Sequence, residues 1–231
     1  MAIRRQTILL VLVAVLLIGL AFVAGRETAS TAPATTTPVP TTTTTTWAPS
    51  QTTTAIWPTI ASSVRYATPT AAAGGFALAY LHMTDPVVGA YRAGDTRSGE
   101  VPVRSSASGP ETTVLVRQVA SDASWWVIGA ATQDITINMP STLARVSSPL
   151  TIAGVSTAYE AVVNISLRED DVSTPLATGT TMGGSMGQLR PFHRTLAFQT
   201  PTSTYGALVL YTISAKDGSV ASASVIRLRY H

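Results

Sequence analysis

Residues Ile8 to Gly25 form an apolar run of eighteen residues without a charge or a strong polar group, bracketed by Arg4 and Arg5 on one side and Arg26 and Glu27 on the other. A helix of that length rises about 27 Å, close to the hydrocarbon thickness of a bilayer at about 30 Å. The run is therefore read as a transmembrane helix or signal anchor at 8–25, behind a short cytoplasmic stub at 1–7. A cleaved signal peptide is the competing reading. It needs small residues at the cleavage site, for which Val23-Ala24-Gly25 is the best candidate. Arg4 and Arg5 favour a cytoplasmic N-terminus, so everything downstream is expected on the far side of the membrane in either case. The expected location is the cell membrane, single-pass with the C-terminal domains extracytoplasmic, or secreted if the segment is cleaved.

From Thr31 to Thr54, thirteen of twenty-four residues are Thr and four are Pro, which leaves almost nothing to bury. A disordered linker is predicted over 26–56, leaning toward extended polyproline-like backbone. At about 3.1 Å per residue it would reach on the order of 90 Å, enough to act as a stalk.

The remaining chain has to fold without cysteine and with only 12% charged residues, so its stability must come from an apolar core. From Trp57 onward, twelve basic residues face eleven acidic ones, and this balance argues against nucleic acid as a partner.

Residues 57–132 read as a small α+β domain. A short strand is expected over Ser62 to Ala67, and then one helix over Ala71 to His82, with Phe76, Ala77, Ala79, Tyr80 and Met83 recurring at helical spacing. Strands are expected at Gly99 to Arg104, Thr112 to Val119 and Ser124 to Ala130, giving one helix on an antiparallel sheet. Trp125 and Trp126 are adjacent in a strand, so their side chains must point to opposite faces. One is expected in the core and the other on the second face, available either for packing on the helix or the neighbouring domain or as a sugar platform.

Residues 133–231 carry seven short strand-like runs: Ile135 to Asn138, Leu150 to Val155, Ala161 to Leu167, Leu176 to Thr181, Phe192 to Phe198, Ala207 to Ile213 and Ser222 to Tyr230. Asp217-Gly218 lies between the last two, as expected of a turn that needs positive φ. This density of strands is that of an antiparallel β-sandwich of immunoglobulin type. The fold class is mainly β: an immunoglobulin-like sandwich preceded by the small α+β domain, with an N-terminal membrane helix and a disordered linker. Only about three residues separate the two folded segments, so they are expected to move together.

Ser147-Ser148-Pro149-Leu150-Thr151-Ile152-Ala153-Gly154, then Tyr159-Glu160-Ala161, then Ser214-Ala215-Lys216-Asp217-Gly218-Ser219 resemble the bacterial spore-germination immunoglobulin-like domain over residues 134 to 231. The resemblance implies a β-sandwich module of bacterial envelope proteins, often appended to other extracytoplasmic domains, and it carries no catalytic residues over to this chain. The segment around Tyr80, Gly94-Asp95, Ser98-Gly99-Glu100 and Trp125-Trp126 is similar to stretches that precede this module in other secreted bacterial proteins.

No nucleophile elbow, phosphate-binding glycine loop or metal-ligand spacing is legible, and His82, His193 and His231 are scattered. Glu169-Asp170-Asp171 reads as a solvated hairpin. Thr180 to Arg190, with three glycines and two methionines, is the longest patternless stretch of the second segment, and Met182 and Met186 there offer soft apolar surface. The expected interaction surface comprises Trp125, Trp126, Met182 and Met186, with no catalytic, cofactor or metal residues. The leading expectation is a non-catalytic, membrane-tethered interaction or scaffolding module of the cell envelope, partnered by the membrane and by another envelope protein or cell-wall glycan. The alternative is an envelope enzyme or enzyme subunit with its site in 57–132, around Asp95, Glu100 and Trp126.

Overall fold

The computed structural model describes residues 49–231. The apolar run and most of the Thr/Pro-rich stretch lie outside the described residues. Among those described, no helix is long and apolar enough to cross a membrane.

The described part opens with a 3-10 turn at Pro49–Thr54. Helix α1 (Pro69–Gly75) starts where Pro69 pre-sets the first helical residue and the Thr68 side chain accepts a hydrogen bond from the Ala71 N–H. The coil continues through Phe76–Tyr80 with a wider, π-type turn. Thirteen strands follow: β1 (Val87–Val88), β2 (Arg92–Ala93), β3 (Ser98–Arg104), β4 (Glu111–Arg117), β5 (Trp126–Thr132), β6 (Ile135–Met139), β7 (Arg145–Val146), β8 (Leu150–Ser156), β9 (Val162–Glu169), β10 (Ala177–Met182), β11 (Arg190–Leu196), β12 (Tyr205–Ile213) and β13 (Val220–Tyr230). All seven strands expected after residue 133 form, within a few residues of their expected bounds.

The immunoglobulin-like part packs the sheet β6-β8-β11 against β13-β12-β9-β10. Between them lies a core of Ile135, Leu150, Ile152, Val163, Ile165, Leu167, Phe192, Leu208, Leu210 and Leu228. The second sheet does not stop at β13. Val225 pairs with Ala130 of β5, so β5, β4, β3 and β1 extend it antiparallel. α1 lies on the outer face of this extended sheet. Ala72, Ala73, Phe76 and Ala77 share one core with Val101, Val103, Val114 and Val116 and with Ala207, Val209, Ala223 and Val225. Along β12, Leu208 and Leu210 face one core while Ala207 and Val209 face the other. Residues 49–231 accordingly form one compact unit, held at the point where the two expected domains meet by a β-sheet rather than by a linker.

Hydroxyls line the same junction. Ser222 donates to an Asp134 carboxylate oxygen at 3.0 Å, Ser224 donates to the Ile135 carbonyl at 2.6 Å, and Thr112 accepts from the Ala223 N–H at 3.1 Å.

Several expectations are corrected. Ser62 to Ala67 forms no strand: the Ser62 hydroxyl accepts from the Val64 N–H and the Arg65 guanidinium donates to the Ser62 carbonyl, so local turns take the backbone groups a strand would use. Only Tyr66 bridges to Trp125. The linker ends earlier than residue 56. Ala55 and Ile56 are buried, and the Ile56 N–H donates to the Val127 carbonyl at 2.7 Å. Ile56 and Trp57 dock the chain on β5 through the Val127 backbone.

Glu169-Asp170-Asp171 is not a solvated hairpin. Glu169 accepts from the Thr202 N–H and hydroxyl, and Asp170 takes both guanidinium nitrogens of Arg227. Trp126 does not pack across the domain junction but against Ala55 and Val119. The junction is instead closed by small β12 and β13 side chains and by Arg168, whose guanidinium lies over the Tyr80 ring at 4.6 Å and donates to the Tyr80 carbonyl.

Candidate functional site

The four expected interaction residues divide into two pairs. Trp125 and Trp126 do point to opposite faces, but both are closed in, at 8% and 2% exposed. Trp125 meets the edge of the Tyr91 ring, and the Trp126 indole N–H donates to the Ser124 hydroxyl at 2.9 Å. Neither offers a free surface. The second face of the β5 sheet is covered because the chain at Ala55 returns over it. Met182 and Met186, at 69% and 96% exposed, stand in solvent.

Met186 belongs to a larger arrangement. Three sandwich connections, 157–161, 183–189 and 214–219, emerge at one end of the strands, and the β3–β4 connection 105–110 reaches the same end. Together with Asp134 they line a groove of about 680 Å³. Its apolar lining comes from Ala158, Tyr159, Met186, Ile213, Ala215 and Ala221.

Backbone bonds lace two of the connections together. The Gly184 N–H donates to the Ser156 carbonyl at 2.8 Å, the Ala158 N–H to the Gly184 carbonyl at 3.0 Å, and the Gly183 N–H to the Ala161 carbonyl at 3.0 Å. The approach demands glycine: a Cβ on Gly183 would overlap the Ser156 hydroxyl, and one on Gly184 the Gln188 carbonyl. The Gln188 N–H closes on the Ser185 carbonyl and leaves Met186 and Gly187 at the tip, both with left-handed φ (51° and 77°). Glu160 and Ala161 are left-handed as well, at 57° and 61°. Non-glycine residues in that region carry backbone strain that the surrounding structure must hold, and three of them lie in this one loop cluster.

The fourth wall is the β12–β13 turn. The Ser214 N–H donates to the Ser219 carbonyl, Gly218 sits at φ 72°, and the Asp217 carboxylate accepts from the Ser219 N–H and hydroxyl. Those bonds hold the Asp217 carboxyl below the usual carboxylate range, with the nearby Lys216 cation assisting. Tyr159 projects at the rim, 70% exposed. The charged side chains lining the groove are Asp134 and Glu160, and no lining residue is cationic.

At the opposite end of the strands the chain enters the fold. Arg227 lies seven residues along β13 from Val220, about 23 Å at strand rise, and its Nε donates to the Thr53 carbonyl at 2.9 Å. The groove thus faces away from the point where residues 49–54 join the body.

The region around Asp95, Glu100 and Trp126 is differently built. Asp95 closes its own hairpin turn by accepting from the Arg97 N–H at 2.7 Å, which holds its carboxyl low. Glu100 lines a separate hollow of about 400 Å³ that Asp95 does not line, and Trp126 is buried. Among the described residues, no three His, Cys, Asp or Glu side chains are placed to hold a metal ion.

Sequence reasoning reached Met186, Asp217-Gly218 and the patternless stretch 180–190, whose middle part 183–189 is the connection. It missed Tyr159, Ile213 and the 105–110 connection as parts of one groove. Their signal was turn chemistry alone, which fixes a bend and not its neighbours.

Residues 134–219 match the family described as the immunoglobulin-like domain of bacterial spore germination, the family that this part of the sequence resembles. No curated protein and no solved structure matches the chain.

Proposed function

We propose that the chain is a membrane-tethered, extracytoplasmic interaction module of the bacterial cell envelope that acts by binding rather than by catalysis. One observation carries the reading: an apolar groove built by four connections opens at the end of the body opposite to the point where the chain enters at Thr53. A rigid sandwich that presents irregular loops at one end is where recognition is commonly placed. The run Ile8 to Gly25 supplies the tether and the Thr/Pro-rich stretch the spacer, so the groove would be held out from the bilayer. The family match supports a bacterial envelope setting and names no reaction. The rival reading, an enzyme with a site near Asp95 and Glu100, has weaker support, because Asp95 is engaged in its own turn and Trp126 is inaccessible.

The test is made in the native host with the full chain. A photo-crosslinking amino acid is placed at Met186 and, as a control, at Leu143, which is exposed near Arg227 at the other end. The chain is expected in the membrane fraction, with its body digested by protease added outside spheroplasts and a discrete adduct formed from position 186 but not from 143. A body protected inside the cell, or equal crosslinking from both positions, overturns the proposal.

A further inference from the structure

The groove's lining specifies what would fill it. Its floor and walls are Ala158, Met186, Ile213, Ala215 and Ala221, with the Tyr159 ring at the rim, so its occupant must bring apolar side chains to gain from burial. The charges set among these residues are both negative. Asp134 stands where β5 crosses to β6, its carboxylate oriented by the Ser222 hydroxyl, which itself lies 3.0 Å from the Thr212 hydroxyl. Glu160 is exposed on the facing connection, its backbone held in the left-handed region.

Of the cations near the groove, Arg104 donates to Glu111 at 2.6 Å, Arg190 donates to the Gln188 side chain, and Lys216 sits beside Asp217 in the turn that forms the fourth wall. An anionic occupant would meet two carboxylates and no cation among the lining residues, whereas a cationic one would find those carboxylates unneutralised by the lining itself. At about 680 Å³ the groove is a concave ligand site rather than a flat interface.

Resting on the reading of the molecule as an interaction module, we infer that the groove binds a short polypeptide segment of a partner protein in which apolar residues alternate with lysine or arginine. The apolar side chains enter between Met186 and Ile213, and the cationic heads meet Asp134 and Glu160. Methionine suits such a contact because its unbranched, polarisable side chain adapts to more than one apolar shape.

The absence of cysteine from the chain allows a direct test, since a single introduced thiol is unique. Full chain carrying Met186→Cys, reconstituted in zwitterionic-lipid nanodiscs, is equilibrated in a redox buffer with nine-residue peptides bearing one Cys. One peptide alternates Leu and Lys, one Leu and Glu, and one Ser and Lys. Mixed disulfide is read by mass spectrometry. Val172→Cys is the control: it is exposed beside the exposed Asp171 and therefore offers a carboxylate without a groove.

At position 186 the Leu/Lys peptide is expected to be trapped about tenfold more than either counterpart, and Glu160→Gln should reduce that preference about threefold or more. At position 172 the Leu/Lys and Ser/Lys peptides should be trapped alike. Equal trapping of all three peptides at 186 overturns the inference. So does a preference for Leu/Glu, or one for Leu/Lys that Val172→Cys reproduces. Trapping of Leu/Lys and Leu/Glu alike, above Ser/Lys, also overturns it and leaves an apolar groove indifferent to charge. If these peptides fail while crosslinking from Met186 in cells still yields a discrete adduct, the module reading stands and only this assignment of its partner falls.

Discussion

Arg227 is 1% exposed, between Leu228 and Ile226, in a strand whose alternation places arginines at 227 and 229 and apolar residues at 226, 228 and 230. That pattern alone suggests an outward basic face. The structure closes over Arg227 instead, with both terminal nitrogens on Asp170, Nε on the Thr53 carbonyl and the guanidinium 5.2 Å from the Tyr205 ring centre. A buried pair of this kind adds little over apolar residues of equal volume, but removing one partner leaves an uncompensated charge. Arg227→Ala should therefore lower unfolding free energy by about 3–5 kcal/mol, and the double change Arg227→Met with Asp170→Leu should recover most of it. Urea unfolding of the two variants decides the matter; a loss below about 1 kcal/mol in Arg227→Ala would mean that water, and not the fold, solvates Asp170.

At the scale of elements, the helical stretch 69–80 and strand β9 are joined through one contact. Tyr80 stacks on Phe76 at 5.1 Å between ring centres, leans on Trp57 at 6.0 Å, and carries the Arg168 guanidinium over its other side. Burial pushes the Tyr80 phenol from 10.0 up to about 12, with Arg168 opposing the rise. Burial also raises the Tyr230 phenol, whose hydroxyl donates to the Arg168 carbonyl at 2.8 Å. A raised folded-state pKa means that the folded protein keeps its proton where the unfolded chain has lost it. The stabilisation is complete below pH 10 and drains away as pH rises toward about 12. Denaturation midpoints should hardly move up to pH 10 and fall beyond it, and Tyr80→Phe should flatten part of that fall. A wild-type midpoint constant across the interval would show that the phenols ionise freely in the fold.

The whole molecule is organised by β12 and β13, each buried on both faces. Leu208, Leu210 and Leu228 serve the sandwich, and Ala207, Val209, Ala223 and Val225 serve the core beneath α1. Stripping away residues 49–133 would bare the second set and unpair Val225 from Ala130. Calorimetry of the 49–231 chain should show one transition, and the 134–231 fragment should melt lower or aggregate through the exposed face. Two transitions in the longer chain, the second matching the fragment, would contradict a shared core.

The chain's local chemistry determined a good deal. Strand after strand of the immunoglobulin-like part is legible because turn residues such as Asp217-Gly218 and stretches of period two are short-range properties, and Ala161 to Leu167 wears its buried apolar side chains at 163, 165 and 167 as that period requires. The cap at Thr68-Pro69 is equally local chemistry, but the apolar spacing alone predicts the helix start at Ala71, two residues late. What only the tertiary structure decided is which faces meet. β12 and β13 lose their alternation because two cores claim them, Trp126 is covered because Ala55 returns across β5, and Asp170 is paired because Arg227 arrives from 57 residues away. The groove belongs to this second class. Its residues come from connections separated by more than a hundred positions, each specified by its own turn chemistry, and their convergence follows from strand register and sheet order, which no single stretch of the sequence encodes.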